Sequence, residues 1–206
     1  MKKNKISKKW INKQHRDPFY KKSKIEGYRS RSAFKLIEMI QKFKFIKKDS
    51  FLLDLGACPG GWSQVASQII KKGKILSIDI KPMNKISNVN FFQNDLLDLN
   101  IFKKIESFFN KKIDVVISDM AVNTTGNKNL DSYQTGQLCL RGMKIALKIL
   151  NQDGVYLSKL FMGSTFAEIN IKAKKSFKKV QVYKPISSRK ESKEIYIFCK
   201  GILKNL

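Results

Sequence analysis

The residues of this chain that could do chemistry gather around one glycine-rich turn and a series of aspartates. The turn reads Asp54-Leu55-Gly56-Ala57-Cys58-Pro59-Gly60-Gly61-Trp62-Ser63-Gln64. It follows a short apolar stretch and opens a helical one, so small residues let the backbone approach a ligand while the helix start offers free N–H groups. A phosphate loop would need Gly-Lys-Ser/Thr after the glycines, and here the run is Gly61-Trp62-Ser63. A dinucleotide turn wants Gly-x-Gly-x-x-Gly, and Cys58 occupies the middle position. The remaining class is the nucleoside turn of enzymes that use S-adenosylmethionine (SAM), a ligand without phosphates. Three aspartates suit such a ligand: Asp79 for the ribose hydroxyls, Asp95 for the adenine amino group and Asp119 beside the methionine end. Any one of them would serve equally well as a helix cap or turn residue. Three at the ends of successive strands point to a ligand, because open α/β sheets bind ligands beyond the carboxyl ends of their strands.

Strands and helices must alternate to position these groups. Apolar stretches predict strands at Phe51–Leu55, Lys74–Ile80, Val89–Phe92, Ile113–Ser118 and Gly154–Leu160. Helical periods fall at 31–43, Trp62–Ile70, Leu97–Phe109, Ser132–Leu150 and Thr165–Phe177. In the first of these, Ala33, Leu36, Ile37 and Ile40 form the apolar stripe and Lys35 falls on the polar side. Val180–Lys184 and Glu194–Cys199 follow without a helix between them and should pair antiparallel. The expected fold is α/β: a Rossmann-like, mainly parallel seven-stranded sheet with one antiparallel strand and helices on both faces. Residues 1–29 hold eleven Lys/Arg against Asp17 and Glu26 and lack a sustained apolar period. They read as an irregular or partly ordered basic arm, with Trp10, Phe19 and Tyr20 as docking or stacking surfaces, ahead of one domain over 30–206.

Other chemistry is thinly provided for. His15 is the single histidine, and Cys58, Cys139 and Cys199 are far apart with no Cys-x-x-Cys pair. That excludes an ordinary zinc site and a Cys–His or Ser–His nucleophile, and it fits reduced thiols in a cytosol-like compartment. No metal is expected. No apolar run approaches the ~20 residues of a membrane-spanning helix, and the basic start has no apolar stretch behind it. The formal charge of +26, from 42 basic and 16 acidic residues, attracts polyanions. Thirty-seven of the 42 are Lys, a bias that an AT-rich genome would also produce.

The ordered motifs Ser30-Arg31-Ser32-Ala33-Phe34-Lys35-Leu36, Asp54–Gln64, Ser118-Asp119-Met120-Ala121, Ser158-Lys159-Leu160-Phe161, and Ser187-Ser188-Arg189 through Glu194-Ile195-Tyr196 resemble the FtsJ-like, RlmE-type ribose 2′-O-methyltransferases. The resemblance runs from about Tyr28 to the end. It implies a catalytic tetrad of Lys35, Asp119, Lys159 and Glu194, and SAM-binding positions at Gly60, Trp62, Asp79, Asp95 and Asp119. It implies a substrate as well: the A-loop uridine of 23S rRNA, presented in the 50S ribosomal subunit, to a monomeric cytoplasmic enzyme. Cys58 stands where a small residue such as Ala is common and Val122 where many members have Pro; neither change removes a functional group. Methylation of tRNA ribose, a non-catalytic ribosome-assembly factor that keeps the fold, and a dinucleotide-dependent oxidoreductase are the rival readings.

A ribose hydroxyl is a poor nucleophile. It must be aligned with the methyl carbon and sulfur and relieved of its proton. With no histidine near a motif, Lys is the available base. A free Lys has a pKa near ~10.4, which burial and neighbouring positive charge push down. Lys159 is expected to position and deprotonate the 2′-OH, Asp119 to orient Lys159, and Lys35 with Glu194 to fix the geometry. Arg31 and Arg189 flank these motifs as candidate phosphate contacts, while Phe161 and Tyr196 read as packing.

Overall fold

The computed structural model describes residues 16–98, 100–121 and 125–203. Trp10, His15 and Val122 lie outside the described residues. The chain forms helices α1 (Pro18–Ile25) and α2 (Ala33–Phe43), then β1 (Phe51–Leu55), α3 (Gly61–Ile69), β2 (Lys74–Asp79) and β3 (Asn90–Gln93). It continues through α4 (Ile101–Phe109), β4 (Ile113–Ser118), α5 (Lys128–Ile149), β5 (Leu150–Phe161), α6 (Phe166–Ser176), β6 (Phe177–Tyr183) and β7 (Glu194–Ile202).

One seven-stranded sheet runs in the order β3-β2-β1-β4-β5-β7-β6. All neighbours pair parallel except β7, which is inserted between β5 and β6 and is antiparallel to both. The expected Rossmann-like α/β sheet with one antiparallel strand is therefore the fold. Leu52, Leu53, Leu55, Val116 and Ile117 are fully buried because helices cover both faces, which is why these strands read as nearly unbroken apolar runs. On one face, α2 and α3 pack Leu36, Met39, Trp62 and Val65 against Leu52, Val115 and Leu157. On the other, α4, α5 and α6 pack Ile105, Ile145, Ala146 and Ile169 against Leu53, Val116 and Tyr156.

The sequence pattern and the structure part where polar side chains take over the backbone. The helix expected from Leu97 begins at Ile101, because Asp95 and Asp98 accept the N–H groups of Leu97 (2.8 Å) and Asn100 (2.9 Å) in tight turns. The one expected from Ser132 begins at Lys128, where Asn127 caps the N–H groups of Asn129 and Leu130. Within the stretch grouped with the basic arm, residues 18–25 form α1, started by Pro18 at its first position and by Asp17, whose carboxylate accepts from Phe19 and Tyr20. No described helix is long and apolar enough to cross a membrane.

Candidate active site

The strand order reverses between β1 and β4, and the glycine turn leaves the sheet at that point. Gly56 adopts φ +72°, and a Cβ built there would stand 2.2 Å from Cγ of Met120, which follows Asp119 beyond β4. Gly60 has φ +104° and a Cβ there would meet Ile86 and Met83, so the turn needs glycine for both conformation and space. Gly61, Trp62 and Ser63 open α3, whose first in-helix bond runs from the Gln64 N–H to the Gly60 carbonyl at 2.8 Å. Arg29 ties this turn down: its guanidinium donates to the carbonyls of Pro59, Asn84 (2.7 Å) and Lys85 (2.7 Å). Gln64 bonds back to the Arg29 N–H (2.9 Å) and the Gly27 carbonyl (2.9 Å).

The aspartates differ in their surroundings. Asp79, half-buried at the end of β2, accepts the N–H of Cys58 (2.8 Å) through one oxygen and that of Lys81 (2.9 Å) through the other. That holds its carboxylate at the mouth of the turn with lone pairs to spare. Asp95 is exposed and its Oδ1 caps Leu97, so it fills the turn role while the other oxygen stays open to a ligand. Asp54, which sequence reasoning took only as part of the motif, is fully buried at the end of β1. Its Oδ2 accepts from Ser63 (2.6 Å), which also bonds Ser77 (2.7 Å), while Oδ1 has no partner among the described residues. Burial, with the nearby Asp119 and Asp79 charges adding to it, raises the Asp54 carboxyl to about 7 against the Ser63 hydrogen bond. Trp62 is 2% exposed, its indole N–H donating to the Ser32 carbonyl at 2.9 Å. Its side chain therefore joins α3 to α2, and what it can offer a ligand is its backbone at the helix start.

Beside this turn stand two ion pairs. Lys159, on β5, donates to the Asp119 carbonyl (2.6 Å) and to Asp119 Oδ1 (2.9 Å). Lys35, in the first turn of α2, pairs with Glu194 Oε1 at 2.6 Å. Lys35, Lys159 and Glu194 are 7–8% exposed. The antiparallel register sets Lys159 opposite Tyr196 and Phe161 opposite Glu194, so Lys159, Tyr196 and Glu194 share the face covered by α2. Tyr196 links the pairs: its hydroxyl donates to Asp119 Oδ1 at 2.7 Å, and the Lys35 ammonium lies 5.8 Å from its ring. Burial alone would push the Asp119 carboxyl up, but Lys159, Lys35 and the Tyr196 hydroxyl outweigh it and hold it below the usual range. Burial, reinforced by Asp119 and Glu194, drives the Tyr196 hydroxyl well above its usual value, so it stays a donor.

The four expected tetrad residues are thus brought together as two pairs. Lys35 corrects its own periodicity: on the polar side of an isolated helix, it is buried here because Glu194 comes over it from β7. Arg31 and Arg189 have a neighbour that the sequence did not reveal. Asp17 Oδ2 accepts from Arg31 and from Arg189 Nε (3.1 Å), and Arg31 also donates to the Ser187 carbonyl. Glu38 on α2 accepts from Tyr183, Ile186 (2.8 Å) and Ser187 (3.2 Å), so the loop that leads to Glu194 is strapped to the helix that carries Lys35. No spacing in the sequence signals Asp17, Glu38 or Arg29, since the partners they tie down lie 14 to 172 residues away.

The arrangement can perform one kind of step well. The turn, with the Asp79 carboxylate at its mouth, forms a cradle of close backbone and carboxylate oxygens whose basic neighbour Arg29 is spent on the carbonyls of Pro59, Asn84 and Lys85, which suits a nucleoside carrying a cationic amino acid rather than a phosphate ester. The Lys159 ammonium has three donors and spends two on Asp119, leaving one direction for an acceptor that enters the cleft.

The family model of FtsJ-like methyltransferases matches residues 28–202. Among curated proteins, the chain is 51% identical over 200 residues to the ribosomal RNA large subunit methyltransferase E of Pelagibacter ubique, covering 97% of this chain and 98% of that one. It is 43% identical to the protein of the same name from Rickettsia bellii, over 91% of this chain and 86% of that one. Among solved structures, a Plasmodium falciparum protein described as a ribosomal RNA methyltransferase superposes with a TM-score of 0.76 at 36% identity, covering 85% of this chain and 99% of that one. A Streptococcus mutans protein described as a methyltransferase, solved with SAH, shares the fold at a TM-score of 0.52 and 14% identity, over 84% of this chain and 96% of that one.

Proposed function

The chain belongs to the FtsJ-like methyltransferase family, and from that premise we propose that it transfers the methyl group of SAM to a ribose 2′-oxygen of ribosomal RNA, at the A-loop uridine of 23S rRNA within the 50S particle. The observation that carries this reading is the buried Lys159–Asp119–Tyr196 arrangement beside the glycine turn. SAM supplies an electrophilic methyl on a sulfonium. The residues of this chain do the rest. Gly56 and Gly60 leave room for the nucleoside, Asp79 receives its ribose hydroxyls, Asp95 its adenine amino group, and the backbone at Trp62 approaches it at the start of α3.

Lys159 Nζ, as the neutral amine, keeps its two N–H bonds to Asp119 and turns its lone pair to the 2′-hydroxyl, whose proton it takes as the oxygen gains the methyl group that the sulfonium gives up. Asp119 holds that nitrogen in place and, kept ionised, balances the positive charge gathered in the site. Tyr196 pins the Asp119 oxygen that faces Lys159. Lys35 and Glu194 fix the wall against which the ribose lies. The protein acts as a monomer beside the ribosome, in the cytoplasm.

The test is methylation by purified protein with labelled SAM on three substrates: undermodified 50S particles, protein-free 23S rRNA and bulk tRNA, with the site mapped by ribose-methylation sequencing. Label at one 23S uridine in 50S particles is the expected result. Preferential labelling of tRNA would replace the substrate, and no SAM binding by calorimetry would replace the enzyme with an RNA-binding assembly factor.

A further inference from the structure

The end of the sheet opposite the cleft carries a second strongly basic surface. Three loops meet there, 44–50 before β1, 70–73 before β2 and 110–112 before β4. Their fourteen residues include seven lysines and one acid, Asp49. All seven lysines are exposed. None takes part in any ion pair found among the described residues, all of which lie elsewhere.

The loops are built rather than draped. The N–H groups of Lys71 and Lys72 both donate to the Lys48 carbonyl, at 2.8 and 2.9 Å. Ser50 Oγ accepts the Lys47 N–H at 2.9 Å, closing the first loop on itself. Gly73 passes so near Ser50 that a Cβ would stand 1.8 Å from the Ser50 carbonyl oxygen. The third loop joins them through β1: the Lys111 ammonium sits 3.3 Å from the centre of the Phe51 ring, and the Phe51 N–H donates to Asp114 at 2.8 Å. Holding so many like charges together works against folding, because each exposed ammonium repels its neighbours. A solvated tail would spread them apart. Here hydrogen-bonded loops fix Lys47, Lys48, Lys71 and Lys72 on one platform.

We propose that this platform is a second RNA-docking surface, which takes the phosphate backbone of an rRNA segment outside the target loop while the cleft at the other end holds the target ribose. The two surfaces stand at opposite ends of the parallel strands. Five residues of β1 span about 17 Å at ~3.3 Å each, and the loops at both ends add to that separation. A short stem-loop filling the cleft would not reach around to the platform, whereas a large folded RNA passes on both sides of the protein. Lysines without base-reading partners suit such sequence-independent contact. The inference rests on the reading of rRNA as substrate.

The test compares K47Q/K48Q/K71Q/K72Q with wild type and with a control, K103Q/K144Q, taken from exposed lysines of α4 and α5. Each protein is assayed on 50S particles and on a minimal stem-loop carrying the target uridine, with filter binding to particles and to protein-free 23S rRNA across a salt series. The fourfold variant should raise KM on particles roughly three- to tenfold, and flatten the log–log salt slope of particle binding by about three, with kcat unchanged. It should methylate the stem-loop as wild type does. Three results overturn the proposal: no difference from the control on particles, an equal loss on the stem-loop at unchanged melting temperature, or a loss confined to particles and absent from protein-free 23S rRNA. The last of these would assign the platform to an acidic ribosomal protein. A wild type that methylates neither particle nor stem-loop would defeat the functional reading instead, and the filter-binding arm would still decide the platform.

Discussion

The two ends of the sheet use the same side chain in opposite ways. At the carboxyl end, Lys35 and Lys159 are buried, each within 3 Å of a carboxylate, and no described residue of the cleft leaves them unpaired. At the amino end, Lys47, Lys48, Lys71 and Lys72 are exposed and take no part in the ion pairs of the described residues. The difference shows what gives a lysine a role in a chain that has 37 of them. Burial makes a lysine's geometry definite, because an ammonium taken from water must keep hydrogen-bonded partners. Exposure leaves it a mobile charge whose effect is collective and screened by salt.

The sharpest way to break this comparison is Lys159→Ala. Single-turnover methylation should fall by about 10²- to 10⁴-fold with SAM affinity retained in calorimetry. An unchanged rate would reduce Lys159 to a structural partner of Asp119. Next is Asp119→Asn, which leaves the Lys159 ammonium in its buried place beside a neutral group. Denaturant unfolding should show a loss of about 3 kcal/mol, toward the lower end of the cost of breaking a buried pair, because the Asp119 side chain is 17% exposed.

Asp54 tests the burial argument through pH. Its folded-state pKa of about 7 lies above its unfolded value. The protonated carboxyl therefore contributes stability that is fully present below the unfolded pKa and is lost as pH rises toward 7. Asp54→Asn should remove that dependence, so the wild type loses on the order of 3 kcal/mol relative to the variant between pH 4 and 7, read from urea midpoints. Equal slopes would show that Asp54 is ionised throughout.

Glu38 has the opposite sign. Burial pushes its carboxyl up, but the hydrogen bonds from Tyr183, Ile186 and Ser187 prevail and lower it. Its contribution is present above the unfolded carboxylate pKa and is lost as pH falls through the folded one. Glu38→Gln should cost about 1 kcal/mol at pH 7 and progressively less as pH falls below the unfolded carboxylate range, measured the same way. The smallest effect belongs to the other end: Lys71→Gln with Lys72→Gln should move stability by less than about 0.5 kcal/mol. A larger loss would mean that these ammonium groups are structural after all.

Much of the fold was legible because burial on both faces writes itself as apolar runs. Phe51–Leu55 and Ile113–Ser118 have the expected boundaries. The late strand pair was foreseen as antiparallel, and β7 runs antiparallel to both β5 and β6. Helix starts were less legible, because whether Asp95 and Asp98 close turns or begin a helix depends on a few hydrogen bonds. Helix α1 was hidden among charges: only Ser23 is buried in it, and its anchor is the Asp17 carboxylate rather than an apolar stripe.

By itself the sequence determined the alternation of elements, the glycine turn and the strand-end aspartates, since these follow from local periodicity and from the few residue types that tolerate φ above zero. The ordered motifs named the tetrad residues through resemblance. Only the tertiary structure decided which lysines are buried and which carboxylate each one meets. Lys35 and Glu194 are 159 positions apart and become partners through the β5–β7 register and the strap from Glu38. Such pairing has no local signature: it depends on where two distant elements are packed, and a charge left without that packing remains in water.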